Sequence, residues 1–143
     1  MTAITHSIVI ERSKEDVFNF VTDLRNDHKW WEPVLSTDKI TEGAVGVGTE
    51  YIQHSKVMFI TVKNHLKVTA WNPFDSIESV TESKQLAYAL RYEFETVDNG
   101  TQFTLHAELE MKGLLRLLKP FTMRSLDHQL ETYFGVLKQY LEQ

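Results

Sequence analysis

The feature that most constrains this chain is a change of hydrophobic period at Gly113. Before it, apolar residues recur at every second position over long stretches. After it, Leu126, Leu130, Tyr133, Phe134, Leu137 and Leu141 recur at helical spacing. One amphipathic helix after an unbroken series of strands predicts an antiparallel sheet curled around that helix, with an apolar hollow between them. A helix from Phe121 to Glu142 would be ~33 Å long at 1.5 Å per residue, enough to cross a whole sheet. Pro120 is expected to interrupt or kink any helix that runs through it.

The rest of the pattern supplies the sheet. Ile4, His6, Ile8 and Ile10 alternate with Thr5, Ser7, Val9 and Glu11, which reads as a first strand. Ser13 then caps a helix, with Asp16 three residues on as in a capping box, and Val17, Phe20, Val21 and Leu24 follow at helical spacing. Asp23 to Asp27 is polar and breaks that pattern; His28 to Glu32 allows one further turn, ended by Pro33. From Leu35 the character is sheet. Thr49 to Ser55 and Met58 to Ala70 read as strands, the second with Ile60, Val62, Leu66 and Val68 on one face and Asn64 among them. Asn72-Pro73 marks a turn, and Ser76 to Glu82 is a short strand. Leu86, Tyr88, Leu90, Tyr92 and Phe94 share one face of a further strand. Asp98-Asn99-Gly100 predicts a hairpin, because Asn and Gly tolerate the positive φ of a tight turn. Phe103, Leu105, Ala107, Leu109 and Met111 face inward on its return strand. The order is β-αα-β-β-β-β-β-β-α, with no repeat and no linker, so residues 1–143 are expected to form one domain.

Composition narrows the function. A net charge of −5 argues against a nucleic-acid partner, which would want a basic face. There are no cysteines, which rules out disulfides and thiol catalysis and fits a cytoplasmic setting. No apolar stretch approaches the length of a membrane span, and no signal peptide is visible. The six histidines are scattered without metal-ligand spacing, the glycines of Gly43 to Gly48 lack a phosphate-loop Lys, and no nucleophile elbow is present. No metal or cofactor is expected, and no catalytic residue is assigned.

Particular segments resemble the START-like (Bet v 1-like, SRPBCC) superfamily, in its polyketide cyclase/dehydrase-like branch. Ile8-Val9-Ile10-Glu11-Arg12-Ser13-Lys14-Glu15-Asp16-Val17-Phe18 resembles the first strand and helix of that branch. Asp27-His28-Lys29-Trp30-Trp31-Glu32-Pro33-Val34 resembles its aromatic-proline segment. Gly46-Val47-Gly48-Thr49-Glu50-Tyr51 resembles its glycine-bounded third strand, and Gly113 to Pro120 its approach to the last helix. The resemblance implies an α+β helix-grip fold: about seven antiparallel strands curved around a long C-terminal helix, with two short helices after the first strand. It implies binding of lipids, sterols, hormones, polyketides or quinones, and supplies no universal catalytic residue.

The expectation is therefore a small hydrophobic or amphipathic ligand held between sheet and terminal helix, in a monomer or homodimer. Leu66, Leu90, Leu105, Phe121, Leu130 and Phe134 would supply apolar wall. Tyr51, His54, Asn64, Tyr88 and Tyr92 are candidate polar groups, and Trp30 would sit near the mouth. Each has a plainer alternative. Trp30 and Trp31 could be core packing, Tyr88 and Tyr92 packed rings with satisfied hydroxyls, and Asn64 the partner of a bulged backbone. The segment Asp27 to Pro33 and the turn from Asn72 to Asp75 are candidate rims. Two rivals stand beside simple binding: a cyclase, dehydratase or isomerase using an inward Tyr or His as acid or base, and an interaction module whose cavity has collapsed into solid core.

Overall fold

The computed structural model describes residues 2–57 and 59–143, with the side chains of residues 121–123 outside the described set. Seven strands form one antiparallel sheet: β1 (Thr2–Ile10), β2 (Val34–Lys39), β3 (Glu50–Val57), β4 (Ile60–Asn72), β5 (Ser76–Glu82), β6 (Leu86–Val97) and β7 (Gly100–Met111). Their order across the sheet is β1-β7-β6-β5-β4-β3-β2, so only β1 pairs out of sequence, with β7. Register shifts between Val34 and Ser36 on β2 and between Val68 and Ala70 on β4 interrupt the ladders. Such irregularities bend a strand and increase its twist, which favours a curved sheet.

Helix α1 (Lys14–Val21) and a 3₁₀ segment (Leu24–Lys29) bridge β1 and β2. Ser13 caps α1 as its sequence predicts, Oγ accepting from the Asp16 amide at 3.1 Å. Asp23 caps the 3₁₀ segment by accepting from the Arg25 amide at 3.1 Å. A short helix α2 (Leu114–Leu117) leads into α3 (Lys119–Leu141), where Pro120 stands in the first turn. There its missing N–H belongs to a group that has no intrahelical partner anyway, so it starts the helix instead of kinking it.

The apolar stripe of α3 seals the core. Phe134 and Leu137 are fully buried, with Leu130, Tyr133 and Leu141 nearly so. Phe103 of β7 is the hub: its ring stacks on Phe134 at 5.2 Å and on Phe94 at 5.2 Å, and meets Tyr92 edge-on at 5.1 Å. Aromatic pairs at these separations add ~0.5–1.5 kcal/mol each beyond their burial. The C-terminal end of α3 is tied to the strand it crosses. Arg12 Nη1 donates to the Leu141 carbonyl at 2.5 Å, Lys138 Nζ to the Val9 carbonyl at 2.8 Å, and the Glu11 amide to Glu142 Oε2 at 2.8 Å.

Candidate functional site

The sheet and α3 do not close completely. A cavity of about 190 Å³ remains between them. Its wall is mainly aliphatic, from Ile4 on β1, Leu66 on β4, Leu90 on β6, Leu105 and Ala107 on β7, and Leu126 and Leu130 on α3. Tyr88 and Tyr92 of β6 add phenols, and Asp27, Trp31, Gln53 and Ser55 complete the lining. A second hollow of about 320 Å³ adjoins it, lined by Lys56, Met111, Leu115, Ser125, Gln129 and Tyr133. Pro33, Val57, Leu86, Leu109 and Leu126 belong to both walls, so the two form an inner chamber and a vestibule.

Asp27 is the chemically distinctive group. It is 5% exposed, in a wall otherwise dominated by hydrocarbon. Oδ2 accepts from Gln53 Nε2 at 2.9 Å, and the same nitrogen donates to Thr37 Oγ1 at 3.0 Å. The Asp27 main-chain carbonyl accepts from the Trp30 and Trp31 amides at 3.1 and 2.7 Å. Oδ1 is buried without a hydrogen-bond partner. Burial raises the carboxyl to a pKa of about 8, because a charged form would lose its hydration; the Gln53 hydrogen bond opposes the rise and the nearby Asp23 charge adds to it. The phenols shift the same way. Desolvation raises Tyr88 to about 12 and carries Tyr92 well above the usual phenol range.

Of the sequence candidates, Leu66, Tyr88, Leu90, Tyr92, Leu105 and Leu130 share this wall. Others lie elsewhere. Trp30 is not at the mouth: it is 2% exposed, packs against Phe103 and Phe134, and leaves its indole Nε1 without a partner. Its neighbour Trp31 packs against the Trp30 ring and takes the cavity position. Phe134 is consumed by the aromatic core and does not reach the lining. Tyr51 is fully buried in a smaller cluster with Leu24, Leu66 and Val68. Asn64 is buried and does not reach the lining, its Nδ2 donating to Ser55 Oγ at 3.0 Å. His54 points to the other face of β3, beside Ser36, because Tyr51, Gln53 and Ser55 hold the inward parity. The side chain of Phe121 lies outside the described residues. Asp27, in a segment expected to form a rim, is inside; of the two tryptophans considered for the mouth it is Trp31 that lines the cavity, and Gln53 is a contact that the sequence reading does not single out.

A curved sheet gripping one long helix defines the helix-grip fold. The chain belongs to the family described as polyketide cyclase / dehydrase and lipid transport, whose model matches residues 1–142. Among solved structures it is similar to a protein from Thermus thermophilus, with a TM-score of 0.79 at 16% identity, covering 98% of this chain and 97% of that one. It is similar to a START superfamily protein from Mycobacterium smegmatis, with a TM-score of 0.78 at 12% identity over 98% and 97% of the two chains. It also resembles a Streptomyces aromatase/cyclase, with a TM-score of 0.73 at 12% identity over 98% and 90%. No curated protein matches the sequence. At these identities the structural likeness establishes the fold.

Proposed function

We propose that the protein binds a small hydrophobic or amphipathic ligand, of lipid, quinone or polyketide-like chemistry, in the chamber between the sheet and α3. The observation that carries this reading is the chamber itself: a largely aliphatic cavity inside an otherwise well-packed aromatic core. Leu66, Leu90, Leu105 and Leu130 supply affinity, at ~25 cal/mol for each Å² of apolar area removed from water. Tyr88 and Tyr92 orient the ligand. The 143 residues act as one binding unit in the cytoplasm, as monomer or homodimer and without nucleic acid. Among the described residues no helix is long and apolar enough to cross a membrane.

Thermal-shift screening with fatty acids, quinones and aromatic polyketides tests the reading. A ligand at a hundredfold excess over its dissociation constant stabilises the fold by ~2.7 kcal/mol. Ala107→Leu, which extends a side chain into the chamber, reduces that gain while leaving the fold intact. A melting temperature that no compound raises would defeat the reading.

One observation favours a second reading, catalysis of a cyclase, dehydratase or isomerase type: a carboxyl and two phenols line the same chamber. Accumulation of product during long incubation with a bound polyketide separates that enzyme from a carrier.

A further inference from the structure

Apolar burial alone gives no role to a carboxyl in the chamber wall. Leaving a buried polar atom unpartnered costs ~1–3 kcal/mol, so such an atom calls for an explanation. The surroundings of Asp27 define what its free oxygen can do. Gln53 Nε2 has two hydrogens, and both are engaged, one on Asp27 Oδ2 and one on Thr37 Oγ1. With the Gln53 nitrogen facing Asp27, Oδ2 is the acceptor of the pair. Among the described residues, no Lys, Arg or His contributes to the inner wall to stabilise a carboxylate there, and the nearby Asp23 charge disfavours one. The carboxyl is thus the neutral acid at neutral pH, and its proton falls to Oδ1, the oxygen that no protein group occupies.

We propose that Asp27, oriented by Gln53, is a specificity residue that donates a hydrogen bond from Oδ1 to a carbonyl oxygen on the buried end of the ligand. This deepens the binding function proposed above and rests on it. The occupant is then an uncharged amphipathic molecule with a ketone or quinone-type carbonyl at its inner end. The space sets its shape. The inner chamber, about 190 Å³, is of the order of the ~150 Å³ apolar cavity that accommodates a benzene ring. It takes one ring-sized head, while the vestibule beyond Pro33, Val57, Leu86, Leu109 and Leu126 takes the remainder of the molecule.

Three matched probes test this: cyclohexanone bearing a pentyl tail opposite the carbonyl, the corresponding hydrocarbon, and the corresponding amine. Binding to the full chain is measured by calorimetry. The ketone is expected to bind wild type about tenfold more tightly than the hydrocarbon, a difference of ~1.4 kcal/mol. Asp27→Asn keeps this preference, because the amide oxygen can accept from Gln53 and its N–H₂ can then donate to the ketone. Asp27→Leu loses the preference while still binding the hydrocarbon. If the leucine variant does not fold, the wild-type ratio and its retention in the asparagine variant decide the matter. Equal affinity of wild type for ketone and hydrocarbon overturns the role of Asp27 and leaves the binding function standing. Tightest binding of the amine also overturns it, since the carboxyl would then be an anionic partner. Failure of every probe to bind overturns both.

Discussion

At the scale of single residues, Asp27 ties stability to pH. Its folded pKa, about 8, lies above the ~3.9 of an unfolded Asp. Between those values the unfolded chain has released the proton and the folded chain still holds it. Stability therefore falls as pH rises through this window, by at most ~1.4 kcal/mol per pH unit, and is least above pH 8. Asp27→Asn removes the linkage. Denaturant unfolding at pH 5 and pH 8 should show the variant gaining on wild type as pH rises, and a constant difference would contradict the burial argument. Phe134 and Leu130 make a second comparison. Phe134 is enclosed by aromatic rings and does not border the chamber, so Phe134→Ala should cost ~3–5 kcal/mol. Leu130 borders the chamber and has fewer atoms against it on that side, which places Leu130→Ala toward the low end of the ~2–5 kcal/mol usual for Leu. Unfolding midpoints measured together check the order.

At the scale of elements, two joints carry predictions. Gly100 opens β7 with φ +153°, and a Cβ there would lie 2.1 Å from the Ile10 carbonyl oxygen and 2.9 Å from Glu11 Cα. Both obstacles are backbone, so Gly100→Ala must force β1 and β7 apart; protection of their amides against hydrogen exchange should fall while that of β3 and β4 holds. At the start of α1, Ser13→Ala removes the acceptor for the Asp16 amide and should cost ~1 kcal/mol in unfolding free energy. These elements were legible beforehand because each writes its own signal. Alternation marks β6 and β7, Asn99-Gly100 marks their turn, and the stripe from Leu126 to Leu141 marks α3. The site was less legible because its polar groups come from segments that write no such signal. Asp27 stands in a polar 3₁₀ stretch and is buried only when β3 brings Gln53 beside it, 26 positions away. The parity of β3 did hold one clue. With Tyr51 inward, Gln53 and Ser55 must follow it and His54 must not.

At the scale of the whole molecule, the two ends of α3 are held differently. Its last turn is hydrogen-bonded to the β1–α1 joint through Arg12, Glu11 and Lys138. Ser125, Leu126, Gln129 and Tyr133, nearer its start, instead form one side of the vestibule. Ligand binding should therefore protect amides around 125–133 and those of β6 from hydrogen exchange, with little change at 137–141. Uniform protection along the helix would show that the ligand tightens the fold globally and does not fill the vestibule. The neighbouring indoles have a further consequence. Trp30 and Trp31 lie 4.7 Å apart at an interplanar angle of 38°, one locked in the core and the other facing the chamber. Two chromophores so close and so tilted couple their transition dipoles, which gives a paired positive and negative band in circular dichroism. A ligand bound in the chamber should displace or re-aim Trp31 while Trp30 stays fixed, so the intensity of that paired band should change with occupancy, with no label attached to the protein.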